Sequence, residues 1–175
     1  MSPLSFAQRF LVPRWGISLY YFLRYRARIS TRAEVQLSPQ FRIGRHSEIS
    51  SFTKIKSSYG PLKIGNRSFI ASGCFVASHR GGLVIGDDCL ISPGVTIVAS
   101  NFNYSRMDIP IWTQGSSSKG IRIGDNVWVG SGACIMDGAD IGPGVIVAAN
   151  SVVSGQVPAN AIVQGNPAKV VFFRR

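Results

Sequence analysis

The chain has 175 residues, of which 45% are hydrophobic and 15% charged. This suits one domain with its own core and excludes a disordered chain. A formal net charge of +11 favours anionic partners in general, while three cysteines without a disulfide framework and only two histidines exclude a disulfide scaffold and a histidine-rich metal centre. No metal is expected, and the cysteine usage points to a reducing, cytoplasmic compartment.

Residues 1–36 read as a basic amphipathic lead-in. Between residues 5 and 29, aromatic and aliphatic side chains alternate with arginines and no acidic residue occurs. The apolar run from Trp15 to Leu23 falls short of the ~18 residues that a spanning helix needs, and no small-residue cleavage site follows it. Two placements fit this segment, and both can hold together. One is a helix at the inner face of an anionic membrane; the other is a helix covering the open end of the following domain. No recognised nucleic-acid module is present, so nucleic acid is not the expected partner.

From residue 37 to 163 the aliphatic residues recur every six positions, as Ile43, Ile49, Ile55, then Ile64, Ile70, Val76, then Ile85, Ile91, Ile97, and then Ile123, Val129, Ile135, Ile141, Val147, Val153. Six matches neither the helical period nor a heptad. It matches a three-faced coil whose inward residues stack on their copies in the next coil, with parallel strands ~4.8 Å apart. About five such coils are expected. The position four after the aliphatic is small or β-branched, as at Ser47, Cys74, Ala133 and Ala139, which suits a tight corner. Glycine follows the aliphatic at Gly44, Gly65, Gly86, Gly124, Gly130 and Gly142, where it should supply backbone freedom.

The period breaks in three places. Three extra residues bulge between Ile55 and Ile64 and again between Val76 and Ile85, and about twenty leave between Ile97 and Ile123 as a loop, residues 100–122. The loop holds Tyr104, Trp112 and a run of three serines at 116–118. A long extrusion from a strict solenoid points to a functional loop. Residues 164–175 form a C-terminal tail.

At these residues the chain resembles the hexapeptide-repeat acyltransferases, which have a left-handed parallel β-helix. The likeness is greatest to the galactoside and maltose O-acetyltransferases and their relatives in bacterial surface-polysaccharide synthesis. The motifs that carry it are residues 121–133 (IRIGDNVWVGSGA), 151–158 (SVVSGQVP) and 165–169 (GNPAK). The resemblance implies acetyl transfer from acetyl-CoA to a saccharide hydroxyl, in a homotrimer whose cofactor lies between subunits. By motif, Ser131 and Ala149 match positions at the pantetheine arm and thioester, Ser154 a threonine beside the cofactor, and Lys169 a basic residue at the phosphates. Gly155 and Phe172 stand where further basic residues occur in the family, and Arg174 and Arg175 are candidates to substitute for them.

Acetyl transfer to a hydroxyl needs a base for the hydroxyl proton and donors for the oxyanion. The family's histidine falls at the loop start, where this sequence reads Ser100-Asn101-Phe102-Asn103-Tyr104. Phenylalanine accepts no proton. His79 lies three residues past Val76 as Ser100 lies three past Ile97, so it should stand beside the loop start. His79 and Asn101 are therefore the candidate catalytic residues, with Arg80, Asn103 and Trp128 as candidate acceptor contacts. His46, in the first of the repeat coils, is expected at the surface. The alternative reading is a catalytically silent β-helix that binds or scaffolds a glycan-synthesis partner.

Overall fold

A computed structural model describes residues 13–57 and 59–175, and the part of the basic segment before residue 13 lies outside the described residues. Helix α1 (Arg14–Tyr25) starts after Pro13, whose fixed φ of −65° suits a helix start, and stops at Arg26, a left-handed cap at φ 56°. Ile17 and Tyr21, four apart, turn to the same side and are buried, and the Tyr21 ring meets Phe41 at 5.4 Å between centroids. The helix therefore covers the open end of the first coil. Burial pushes the Tyr21 phenol well above its ordinary pKa.

The rest is a left-handed parallel β-helix of three sheets. Ile29, Ile49, Ile70, Ile91, Val129, Val147 and Val163 stack in the first sheet, and Val35, Ile55, Val76, Ile97, Ile135 and Val153 in the second. The third stacks Ile43, Ile64, Ile85, Ile123, Ile141 and Val157. Every aliphatic of the six-residue pattern is buried, each contributing roughly 1.5–3 kcal/mol. The second and third sheets have six strands each, one coil more than the repeat suggests. Pairing begins at Arg28–Ile29, ahead of the boundary expected at residue 37. Val35 and Ile43 are eight apart, which hides this first coil from a six-residue count.

The glycines after the aliphatics do a different job from the one expected. None has positive φ. A Cβ on Gly65 would lie 2.4 Å from the Gly86 oxygen, so glycine is there for the close approach of successive coils. The left-handed turn falls two residues later, on His46, Arg67, Asp88 and Asn126. His46 is exposed, as expected.

Corner side chains tie coil to coil. Ser47 Oγ donates to Gly65 O (2.7 Å), Ser68 Oγ to Gly86 O (2.8 Å) and Thr53 Oγ1 to Ala71 O (2.7 Å). Between the third and first sheets, Asp87 accepts from the Asn66 backbone and side chain, and Asp88 takes a two-pronged bond from Arg67. These donors hold both carboxyls below the usual carboxylate range. The tail strand, Ala168–Phe173, folds back antiparallel on Ala161–Gly165.

Candidate active site

All the extra residues leave at one corner, between the second and third sheets. The two bulges and the loop occupy this corner in three successive coils, followed by Asp137-Gly138 and then Ser154-Gly155. The loop leaves as a two-stranded root, Asn101–Phe102 antiparallel to Ser116–Ser117, and carries a short 3-10 turn at Ile111–Thr113. Its ends are fastened to the corner. Ser118 Oγ donates to Ala99 O (2.6 Å) and accepts from Gly81 N (2.9 Å). Gly81 and Gly120 touch so closely that a Cβ on Gly81 would lie 2.4 Å from the Gly120 nitrogen.

His79 stands against this root. Its ring stacks on Tyr59, with centroids 5.6 Å apart, and its Nε2 lies 3.4 Å from Ser116 Oγ. Ser116 is the register partner of Phe102. The imidazole thus stands beside the rung that carries Phe102, while Phe102 itself points out, 63% exposed. His79 Nδ1 is buried without a hydrogen-bond partner.

Asp137 is the residue that sequence reasoning missed. It is only 6% exposed. It accepts from Lys119 N with both oxygens and from Gly120 N with one, all at 2.9 Å, and Asn101 Nδ2 lies 3.5 Å from its Oδ2. One carboxylate therefore fixes both the end of the loop and the side chain at its start. In the sequence, Asp137-Gly138 reads as an ordinary turn dipeptide, and nothing there marks it as an anchor.

The expected site residues divide between two corners. His79, Arg80, Asn101 and Asn103 lie together at the loop corner, with Ser154 on the same corner of the last full coil. The Asn103 amide donates to Gln114 O (3.0 Å), so it supports the loop's own backbone. Ser131 and Ala149 lie on the opposite edge of the second sheet, stacked so closely that a Cβ on Gly130 would lie 2.6 Å from Ala149 N. Lys169, exposed and paired in register with Gln164, is at that edge too. Trp128 is on the outer side of the first sheet, its Nε1 bonded to Ser92 Oγ (3.0 Å), on a different face of the helix from His79. Arg174 donates to Gly144 O (2.8 Å) at the far end of the tail strand from Lys169, so it is not placed to substitute beside that lysine.

Burial pushes the Cys74, Cys89 and Cys134 thiols up, which disfavours the thiolate a nucleophile needs. Among the described residues no group of three or more His, Cys, Asp or Glu side chains is arranged around a common point that could hold a metal ion. Among the described residues no helix is long and apolar enough to cross a membrane.

Residues 120–155 match the bacterial transferase hexapeptide family (six repeats), and residues 61–99 match the hexapeptide repeat of succinyl-transferase. The chain is 40% identical over 67 residues to the putative lipopolysaccharide biosynthesis O-acetyl transferase WbbJ of Escherichia coli (strain K12). That stretch covers 38% of this chain and 34% of WbbJ. The matched stretches span about a third or less of the curated relatives' own length. Among solved structures, the polySia specific acetyltransferase NeuO superposes with a TM-score of 0.64 at 31% identity, covering 75% of this chain and 60% of that one. A variant of AntD, an N-acyltransferase from Bacillus cereus in complex with dTDP and coenzyme A, superposes with a TM-score of 0.78 at 22% identity. It covers 90% of this chain and 88% of AntD, a likeness of fold.

The chain is a left-handed parallel β-helix of the hexapeptide-repeat type. In its repeat and its fold it is similar to the hexapeptide-repeat acyltransferases.

Proposed function

We propose that the chain transfers an acetyl group from acetyl-CoA to a hydroxyl of a saccharide, in the synthesis of a surface or exported polysaccharide. The observation that carries this reading is His79, an imidazole whose Nε2 faces the loop root beside Phe102. A saccharide hydroxyl replacing the Ser116 contact would meet that nitrogen. His79 would take its proton as the oxygen attacks the thioester carbonyl of an acetyl-CoA presented by the neighbouring subunit of the expected trimer, and Asn101, held by Asp137, would orient the acceptor. The C–O bond forms, the C–S bond breaks, and the proton returns through His79 to the departing CoA thiolate. The relatives support the class: WbbJ by its lipopolysaccharide role, NeuO by its polymer acceptor and AntD by its CoA complex. The test is thiol release from acetyl-CoA in the presence of candidate glycans, with mass spectrometry of the acetylated product. Thiol release without an acetylated glycan would defeat the acceptor assignment.

Phe102 favours a second reading, a silent scaffold for a glycan-synthesis partner, because the family's base position holds a side chain with no proton acceptor. Acetyl-CoA binding without turnover on any glycan would support it.

The expected subunit arrangement is a homotrimer. The loop exposes Phe102, Tyr104, Met107, Ile111 and Trp112 and has no core of its own to cover them. Sedimentation equilibrium should give three times the chain mass at micromolar concentration, and Trp112→Asp should shift it towards monomer. A monomeric wild-type chain would defeat the assignment.

Lys169 is expected to meet the CoA phosphates. Lys169→Ala should cost about 1 kcal/mol of CoA binding, roughly fivefold in Kd by calorimetry. Equal affinity of the wild-type chain for CoA and for CoA lacking its 3′-phosphate would remove that role.

A further inference from the structure

Helix α1 is apolar on two sides, and the fold uses only one. Ile17 and Tyr21 face the first coil. At 100° per residue, Trp15, Leu19, Phe22 and Leu23 share the opposite arc. They are 64%, 47%, 46% and 71% exposed, with no charged residue among them. A helix that is apolar on both sides is normally covered on both.

The charge of the whole segment, and of the helix end above all, selects what covers it. The first 33 residues carry six arginines (Arg9, Arg14, Arg24, Arg26, Arg28, Arg32) and no lysine, aspartate or glutamate, so they supply six of the net eleven charges. Among the described residues, the ion pairs engage Arg28 (with Glu48, 2.7 Å) but not Arg14, Arg24 or Arg26. Where the helix ends, Phe22, Arg26, Arg28 and His46 line a cavity of about 300 Å³. A second copy of the chain would bring two such cationic ends together, whereas a layer of anionic headgroups matches both the apolar arc and the positive charge beside it.

We propose that α1 docks the chain on an anionic phospholipid surface, with Trp15, Leu19, Phe22 and Leu23 entering the headgroup–acyl boundary and Arg26, beside Phe22 where the helix ends, meeting lipid phosphates. The helix thereby serves two surfaces at once, closing the β-helix on one side and lying on lipid with the other. This docking stands independently of acyl transfer.

The test is co-sedimentation of the full chain with phosphatidylglycerol-containing and with pure phosphatidylcholine vesicles, at low and at raised salt. Binding is expected to the anionic vesicles alone and to weaken with salt. Leu19→Glu with Leu23→Glu should lower the partition coefficient at least about tenfold without changing the melting temperature, because both side chains already face solvent. Arg26→Gln should lower it by about fivefold. If the glutamate variant destabilises the cap, the arginine variant still decides the matter. No binding to anionic vesicles at low salt would overturn the proposal, as would equal binding to both vesicle types. A fall in oligomeric mass in the glutamate variant, with no change in vesicle binding, would assign the face to a second copy instead.

Discussion

Replacing His79 by alanine is expected to lower kcat by about 10²–10⁴-fold while leaving the Kd for acetyl-CoA unchanged. The size follows from what a positioned general base contributes. The selectivity follows from placement, since Ser131, Ala149 and Lys169 lie on the opposite edge of the second sheet from His79. Ser116→Ala is the companion variant. Removing the hydroxyl 3.4 Å from Nε2 frees the imidazole without removing it, so activity should stay within a few fold. Phe102→His places an imidazole on the neighbouring rung and should raise turnover if the acceptor reaches that rung. Turnover within about threefold of wild type in His79→Ala would remove His79 from the chemistry. Activity would then rest on positioning and oxyanion stabilisation, or on a base supplied by the substrate or a partner chain.

Asp137→Ala should destabilise the chain by about 2–6 kcal/mol and abolish turnover with it. The carboxylate accepts three backbone hydrogen bonds of 2.9 Å from Lys119 and Gly120 at a site only 6% exposed. Removing it strands two N–H groups, each costing about 1–3 kcal/mol when buried without a partner. The loop end would then be free to leave the corner, taking Ser116 and Ser118 from their places beside His79 and Gly81. Asp137→Asn keeps the shape and one acceptor oxygen but turns an amide towards the N–H groups, so it should lie between wild type and alanine. Denaturant unfolding gives the energy, and limited proteolysis within residues 100–122 reports whether the loop has come loose. A change below about 0.5 kcal/mol for Asp137→Ala would mean that the loop is held elsewhere.

The β-helix was legible because its signal is periodic. A buried Ile or Val at a fixed step, repeated through most of the chain, leaves few architectures open, and each of those residues lies in the core. The first coil was hidden because the step from Val35 to Ile43 departs from six. The glycines were assigned to the right places for the wrong reason. Spacing shows where a side chain is missing, but only the neighbouring coil shows that a Cβ would strike its backbone. At the candidate site, stacking equivalent positions on adjacent coils was enough to bring His79 to the loop start. The same counting could not find Asp137, which acts through backbone N–H groups donated from the loop's far end, nor separate Trp128 from the loop corner. Those facts depend on which way the corner turns, and a one-dimensional period does not carry that.

Confining every insertion to one corner has a practical consequence for how such a molecule can change. At the corner between the third and first sheets, a ladder runs from Arg45 through Asn66 and Asp87 to Asp125. A residue gained or lost there would break the ladder and slip the coil. At the loop corner, lengths already differ from coil to coil while the strands on either side stay in register. Lengthening a loop costs little, roughly 0.6 kcal/mol per doubling. A foreign peptide grafted between the Asn101–Phe102 and Ser116–Ser117 strands would therefore leave the stack intact. A lineage could accordingly alter what its loop recognises by editing length at this single corner, while selection on the remaining two corners keeps the winding of the β-helix unchanged.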